Sequence, residues 1–336
     1  MEVIQAHLPV EVLDQIIQYI IPDENYLAYP SSHPTTKTLV SLITVSKATS
    51  HIAKLSLYTH CLYIDTPWRL DSLLTKSLST SNCPIPLARI DRLYISPFSG
   101  RTIRERKVVE QITELFTLLA PSLKRLIVDM PLRSHYPQED VTEKLRPILR
   151  RGFERLVNLE EFSSVRDELF LAYRDPAFEH VADPEDDYEL WKNDFMFEKW
   201  TKLRYLSLYN REIGRDFRDA LWRMPMLEKV VLSRPDWDND EGFWPRDPGA
   251  YSGSSVQIVV VETTDVATHA GLQKLSHVNL LSTQQPDAWK FSLFVDKDKD
   301  TISSTQEWSL EGMLNGELWS LIDHAESDQV ELATSV

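Results

Sequence analysis

The chain has 336 residues, of which 42% are hydrophobic and 10% aromatic, a composition typical of a globular protein with one large and one small domain. Its formal net charge of −15 disfavours non-specific binding of nucleic acid, because the average surface repels a polyanion. No signal-like segment follows Met1 and no apolar stretch approaches the roughly 18 residues of a membrane span, so we expect a soluble chain without a membrane partner.

The sequence contains two cysteines, Cys61 and Cys83, and no Asn-x-Ser/Thr acceptor site. Two thiols cannot build a disulfide framework or a thiolate zinc site, so a reducing compartment, the cytoplasm or the nucleus, fits best. We expect both cysteines to be buried and unreactive.

Three short helices are predicted in the first sixty residues. An apolar stripe runs along the first helix at Leu8, Val12, Leu13, Ile16, Ile17 and Ile20. Pro9 suits the first helical turn and Pro22 ends the helix. Further apolar runs at residues 39–45 and 48–55 predict two more helices, and the three must share a core because none can bury its stripe alone.

The ordered apolar positions of this segment resemble an F-box, with Leu8-Pro9-x-Glu11-Val12 followed by the Ile16-Ile17 pair and Val45-Ser46-Lys47. The resemblance implies a three-helix module that docks on a Skp adaptor of a cullin-RING ubiquitin ligase. The insertion between the first two helices is longer than usual, and Thr49 stands where many members carry tryptophan. The adaptor-binding residues that it implies, some of which will instead fill the core of the module, are Leu8, Pro9, Glu11, Val12, Ile16, Ile17, Leu39, Leu42, Val45 and Ser46.

A recurring L-x-x-L-x-L pattern dominates the next part of the chain. It begins at Ile90, Leu123, Leu203, Leu227 and Leu275, and its first half recurs at Leu159. Helical patterns separate the copies, as at residues 70–78, 108–119, 141–153 and 217–222, and a further strand is expected at residues 58–64. Strand and helix in alternation predict an α/β fold with parallel strands.

This pattern resembles the degenerate leucine-rich repeats that often follow an F-box in fungal proteins. The resemblance implies that the strand residues pointing away from the helices hold an unknown protein substrate. On this basis the substrate-binding residues are Tyr94, Arg125, Tyr205, Ser207, Tyr209, Lys229 and Val231. A generic α/β domain with an open parallel sheet is the alternative.

Two aromatic insertions interrupt the array, at residues 166–200 and 234–253. They either pack back on the array or form a recognition surface, since tryptophan and tyrosine contribute strongly to binding. Near the end of the chain, a strand is predicted at residues 291–295 and a helix from Leu314 to Ile322. The predicted organisation is therefore an F-box at residues 1–60, a substrate-recognition domain at 61–325 and a disordered tail at 326–336.

Sequence motifs of catalysis are missing: no nucleophile elbow, zinc-protease helix, Walker loop or dinucleotide fingerprint is present. The segment from Asp296 to Asp300, with Glu307, has the acidic spacing of a calcium loop, but Thr301 replaces the required glycine. Basic residues gather at residues 101–107 and 146–155, either as solvated helix faces or as a site for an acidic or phosphorylated partner. We expect no metal and no cofactor.

These observations favour a non-enzymatic substrate-recognition subunit of a Skp/cullin/F-box ligase. Two alternatives remain. One is an F-box scaffold that acts outside a ligase, and the other is an α/β hydrolase-like enzyme with a site built from distant residues.

Overall fold

Three helices form a small unit at the start of the chain: α1 (Val10–Gln18), α2 (Pro34–Leu42) and α3 (Lys47–His60). The computed structural model describes residues 8–23, 25–78, 87–100, 102–137, 139–171, 195–237, 256–265, 281–282, 288–295 and 300–320. The shared core of the three helices consists of Ile17, Ile21, Tyr29, Leu39, Ile52 and Ala53. Predicted helices therefore form in all three places, although α2 begins earlier than expected and α3 continues through residues predicted as strand.

Local signals explain where these helices begin. Pro34 occupies the first turn of α2, and the imidazole Nδ1 of His33 accepts a hydrogen bond from the backbone N–H of Thr35 at 3.2 Å. Ser46 caps α3 in a capping box: its hydroxyl accepts from the N–H of Thr49 at 3.1 Å, and its own N–H donates to the Thr49 hydroxyl at 3.0 Å. Thr49 thus has a capping role at the start of α3.

Nine of the described strands form one sheet: β1 (Tyr63–Ile64), β2 (Arg92–Ile95), β3 (Arg125–Val128), β4 (Glu161–Ser164), β5 (Tyr205–Tyr209), β7 (Lys229–Ser233), β9 (Gln257–Asp265), β10 (Leu281–Ser282) and β11 (Ala288–Val295). Their order across the sheet is β1-β2-β3-β4-β5-β7-β9-β11-β10. Every pairing is parallel except that of β10 with β11. A separate parallel pair joins β6 (Glu212–Ile213) to β8 (Asp236–Trp237).

One face of the sheet is covered by helices that connect successive strands: α4 (Pro67–Leu78), α5 (Arg106–Leu119), α6 (Leu145–Glu154) and α7 (Arg215–Arg223). The leucines of the repeated pattern supply this core. In β3, for example, Leu126 and Val128 join it together with Leu123, whereas Ile127 points to the other side. The predicted α/β fold with a parallel sheet is confirmed.

The opposite face of the sheet, here called the outward face, is covered by the helix α8 (Thr301–Asn315) and by the segment that follows it. Leu314, Leu318 and Trp319 pack there against Val231 and Val259. A sheet with apolar residues on both sides needs a layer on each, so this second layer follows from the sequence of the strands.

Some elements of the sheet domain differ from the prediction, and others lie outside the described residues. Strand β9 was not predicted, and α8 begins at Thr301, well before the apolar residues from Leu314 on which the predicted helix rested. The predicted strand at Leu275–Leu280 and the tail at 326–336 lie outside the described residues. No helix in the described part of the chain is long and apolar enough to cross a membrane.

The aromatic insertions are described in part. Phe195, Phe197 and Trp200 are buried in the core between sheet and helices, and the indole N–H of Trp200 donates to the carbonyl of Phe153 at 3.0 Å. The rings of Trp200 and Phe162 lie 4.8 Å apart. These three aromatic residues therefore pack back on the array. Trp191 and the acidic run at 183–189 lie outside the described residues, as do Phe243 and Trp244.

Candidate functional site

An exposed apolar stripe runs along the outer side of α1 and includes Leu8 and Tyr19, which flank the helix. Leu8 is 57% exposed, Ile16 is 49% exposed and Tyr19 is 90% exposed, whereas Ile17 is 2% exposed. Val12, also exposed, lies one turn before Ile16. The wide apolar stripe of the sequence thus divides: one half fills the core of the three-helix unit, and the other half faces solvent.

The residues predicted to bind an adaptor separate into two groups. Leu39 and Ile17 are buried in the three-helix core, and Leu42 is partly buried against it. The remaining predicted residues are exposed: Leu8, Pro9, Glu11, Val12, Ile16, Val45 and Ser46. The division could not be made from sequence, because adjacent positions of a short helix differ only in where the core lies.

Three further apolar residues are exposed on the same unit and were not assigned to the surface: Val10, Tyr19 and Val40. Tyr19 follows Ile16 by three positions, which places the two side chains on one helix face. The three-residue spacing from Ile16 could have identified Tyr19 as part of the exposed apolar stripe. Exposed apolar side chains gathered on one small unit are typical of an interaction surface.

The loop between α1 and α2 positions this unit against the sheet. Leu27 and Ala28 are buried against the outward face, whereas Tyr29 belongs to the three-helix core. The ring of Tyr29 stacks on that of Tyr26, with centroids 4.4 Å apart. The Arg125 guanidinium donates to the Asn25 carbonyl at 2.9 Å. The loop between α1 and α2 therefore joins the two cores.

The residues predicted to bind a substrate do lie on the outward face. Strand register places Tyr94, Ile127, Ser163, Ser207, Val231 and Val259 in one row across the sheet. Arg125, Tyr205 and Lys229 belong to the neighbouring row, and Tyr209 lies two positions beyond Ser207.

The structure does not leave this face open. Tyr94, Ser207, Tyr209 and Val231 are buried, while Arg125, Tyr205 and Lys229 are partly buried. The expectation of an accessible surface at these residues is therefore corrected. The physical reason is the apolar character of the row itself, which draws α8 and the loop at residues 25–28 onto the sheet.

Polar contacts also join α8 and the segment that follows it to the edge of the covered part of the sheet. The ammonium of Lys229 donates to the carbonyl of Trp319 at 3.2 Å, and the hydroxyls of Ser233 and Ser309 lie 3.2 Å apart. The Trp319 ring packs on Tyr205, with centroids 5.4 Å apart. Burial raises the pKa of the Tyr94 phenol, and the nearby Asp129 carboxylate raises it further, so this group stays neutral.

The two basic groups of the sequence are largely paired within the chain. Arg104 pairs with Glu139, Arg106 with Glu110, Lys107 with Asp71, and Arg150 with Glu154. Arg101 lies outside the described residues. A groove of about 390 Å³ between α5 and α6 is lined by Arg106, Lys144, Arg150 and Arg151, with Glu154 on its wall. Because Arg104, Arg106 and Arg150 already carry acidic partners within the chain, the structure favours the interpretation of these residues as helix faces.

Buried charges lie mainly beneath the loops that follow β3 and β4. The guanidinium of Arg146 donates to the carbonyls of Leu132 and His135 at 3.0 and 2.7 Å. The Asp140 carboxylate accepts from the N–H groups of Leu145 and Arg146 at 2.7 and 2.8 Å, which caps α6. These groups satisfy backbone polar atoms, so their arrangement is that of a structural network.

A metal site is not assembled from the described residues, where no cluster of three or more His, Cys, Asp or Glu side chains could hold an ion. Asp300, the last acid of the calcium-like string, instead caps α8, and Glu307 lies within that helix. Residues 296–299 lie outside the described part.

Comparison with known proteins found no matching family model, no similar curated protein and no similar solved structure.

Proposed function

We propose that this chain is an F-box protein and the substrate-recognition subunit of a Skp/cullin/F-box ubiquitin ligase. In this proposal the three-helix unit docks on the Skp adaptor, and the sheet domain, as an irregular leucine-rich-repeat array, holds the target protein. The observation that carries it is the exposed apolar stripe of Val12 and Ile16 on α1 with Leu8 and Tyr19, which flank the helix. Such a stripe loses contact with water when a partner covers it, which stabilises the complex.

The proposed contribution to ubiquitin transfer is proximity. A target held on the sheet domain and an adaptor held on α1 share one body, so the transfer becomes effectively intramolecular. Leu27 and Ala28 of the loop support this role because they are buried against the sheet while their neighbour Tyr29 lies in the three-helix core. A fixed geometry between the two binding surfaces follows from that contact.

The test compares two lysine substitutions on α1 in a binding assay with purified Skp adaptor. Ile16→Lys places a charge in the exposed stripe, whereas Gln18→Lys places the same charge on an exposed polar position of the same helix. We expect Ile16→Lys to weaken adaptor binding at least tenfold and Gln18→Lys to leave it within twofold. Circular dichroism verifies that both variants keep their helix content.

Two results would contradict the adaptor interface. One is undiminished binding of Ile16→Lys, and the other is no binding by the folded wild-type chain. Substituting Ile17 would not serve, because that side chain fills the core and its loss would unfold the unit. The scaffold alternative is tested separately in a reconstituted ligase: a scaffold binds the adaptor but yields no ubiquitylated products.

A further inference from the structure

A cleft of about 450 Å³ lies between the first turns of α4 and the first turns of α5. Trp68 and Asp71 line it from α4, and Glu105, Lys107 and Gln111 line it from the N-cap and first turns of α5. Trp68 and Asp71 are three positions apart, so their side chains lie on one side of α4. The volume falls within the roughly 300–1,000 Å³ of small-molecule sites. The cleft shares no residue with the candidate adaptor surface or with the outward face.

Trp68 offers an uncovered aromatic face at this cleft. It is 74% exposed, whereas Trp200 is fully buried and Trp319 is 8% exposed. Its ring makes no hydrogen bond, ring contact or cation contact with any residue that the structure describes. The face of an indole is electron-rich and attracts the weakly positive hydrogens of C–H groups, and covering it removes apolar surface from water. A ligand with a flat C–H face therefore gains most by lying on Trp68.

The charged side chains that line the cleft balance one another. Arg106 and Lys107 supply two cations, and Asp71 and Glu105 supply two anions. The Lys107 ammonium donates to Asp71 Oδ1 at 2.8 Å, and the side-chain amide of Gln111 donates to the same oxygen at 2.7 Å. These contacts hold the pKa of Asp71 below its usual range, so its carboxylate is an acceptor at neutral pH. Because the lining residues carry no net charge, the cleft favours neither a cationic nor an anionic ligand.

Hydrogen-bonding capacity remains on this lining. The Ser99 hydroxyl donates to Glu105 Oε1 at 2.9 Å, whereas Glu105 Oε2 and Asp71 Oδ2 accept from no described residue. The side-chain carbonyl of Gln111 also lacks a donor in the described part of the chain. The side chains of Asp71 and Lys107 are 45% and 77% exposed, so a ligand can reach them. Hydroxyl groups both donate and accept and therefore suit this mixed lining, whereas an apolar ligand would leave its acceptors without partners.

We propose that the cleft between α4 and α5 binds a neutral sugar, with one hexopyranose ring lying on Trp68 and its hydroxyl groups hydrogen-bonded to Asp71 and Gln111. The β-glucopyranose ring fits this arrangement because its hydroxyl groups are all equatorial, which leaves C–H groups on both faces and hydroxyls around the rim. One face covers the indole, while rim hydroxyls donate to the carboxylates of Asp71 and Glu105 and accept from Lys107. This inference goes beyond the proposed function and stands without it.

Nuclear magnetic resonance of the full chain, with nitrogen-15 in the indoles of its nine tryptophans, tests the site directly. The probe is cellobiose, a disaccharide of β-linked glucose, and the control is sorbitol, which has the hydroxyl groups of a sugar but no ring. The Trp68 signal is identified as the one that disappears in Trp68→Phe. We expect cellobiose to shift this signal saturably, with a dissociation constant in the millimolar range. Sorbitol at the same concentrations should leave it in place.

Saturation transfer from the protein to the protons of cellobiose compares variants of the cleft. Trp68→Ala removes the aromatic face and Asp71→Ala removes an acceptor, and each should reduce the transfer at least fivefold. The matched controls are Tyr136→Ala and Glu114→Ala, which remove an exposed aromatic ring and an exposed carboxylate outside the cleft. Both controls should keep the transfer within twofold of wild type. Circular dichroism verifies that all four variants keep their helix content.

Three results would overturn the sugar site: no saturable shift of Trp68 with cellobiose, an equal shift with sorbitol, or unchanged transfer in Trp68→Ala. Adaptor binding is measured on the same Trp68→Ala sample and should equal that of the wild-type chain. A loss of adaptor binding in this variant would overturn the assignment of the cleft to a separate site. Failure of the wild-type chain to bind the adaptor would count only against the proposed function.

Discussion

The backbone N–H of Leu27 donates a hydrogen bond to the carbonyl oxygen of Leu314, with 2.7 Å between the two atoms. Leu27 lies in the loop between the first two helices and Leu314 in α8, so the bond joins distant parts of the chain on the outward face. The Leu27 side chain is fully buried at the same place. The loop therefore connects the candidate adaptor surface to the cover of the sheet.

Replacing Leu27 with alanine should destabilise the chain by about 2–5 kcal/mol, because it removes a fully buried aliphatic side chain and leaves a cavity. Urea unfolding followed by tryptophan fluorescence measures the change. Since Leu27 contacts the α8 region, exchange of the α8 amides should also accelerate. Asn25→Ala, at an exposed position of the same loop, is the control and should change stability by less than about 0.5 kcal/mol. Equal stability of the two variants would contradict the bridging role of the loop.

Replacing Gly152 with alanine should destabilise the chain, whereas the same change at an ordinary helical site stabilises it. An alanine at an ordinary helical site stabilises by about 1 kcal/mol relative to glycine. At Gly152 the added Cβ would lie 3.1 Å from the Cα of Thr113, where α5 and α6 cross. We expect a loss of about 1–3 kcal/mol, since backbone cannot move aside as a flexible side chain can. Thermal unfolding measures it.

Gly100→Ala is the matched control for this crossing. Among the described residues, apart from the immediate chain neighbours of Gly100, no atom lies within 4 Å of the Cβ that would be added there, so the stability should change by less than about 0.5 kcal/mol. A Gly152→Ala variant as stable as wild type would mean that the two helices are further apart than the structure places them.

Sequence periodicity predicted which side of each strand faces the helices, because the L-x-x-L-x-L pattern fixes inward positions such as Leu126 and Val128. It could not predict what lies over the opposite side. Ile127 and Val231 point there and are apolar, and Val231 is among the residues predicted to bind a substrate. Both belong to the core that α8 and the loop at residues 25–28 form over the sheet, and a two-residue period carries no information about contacts between distant segments.

Periodicity also could not predict, for the candidate adaptor surface, which side of α1 faces the core. Ile16 and Ile17 both belong to the apolar stripe, and the structure exposes the first and buries the second. Helical spacing separates their directions by about 100°, but the position of the core depends on how α3 packs. Strand β9 could have been predicted, since residues 258–261 form a continuous run of isoleucine and valine.

Two tryptophans in the sheet domain differ in burial, so their substitutions should differ in their effect on stability. Trp200 is fully buried and donates to the carbonyl of Phe153, whereas Trp68 is 74% exposed on α4. Trp200→Ala should cost about 3–5 kcal/mol, because a large aromatic side chain leaves a cavity in the core. Trp68→Ala should change stability by less than about 0.5 kcal/mol. Urea unfolding compares them, and a small effect at Trp200 would contradict its packing.

Burial makes Cys61 a slow nucleophile. Desolvation raises the pKa of the thiol from 9.0 to about 11, although a hydrogen bond with Thr36 acts in the opposite direction. Because the thiolate is the reactive form, a rise of that size lowers its fraction near pH 8 by about 100-fold. Iodoacetamide should therefore alkylate Cys61 in the folded chain about 100-fold more slowly than in urea.

The pH dependence supplies the decisive measurement on this thiol. In the folded chain the alkylation rate of Cys61 should still rise tenfold per pH unit between pH 8 and 10, since the thiol remains mostly protonated there. In urea the rate should level off above about pH 9, where an ordinary thiol is ionised. Peptide mapping by mass spectrometry separates Cys61 from Cys83, and circular dichroism verifies that the chain stays folded at pH 10. A folded-state rate that levels off at pH 9 would show that Cys61 is exposed to water.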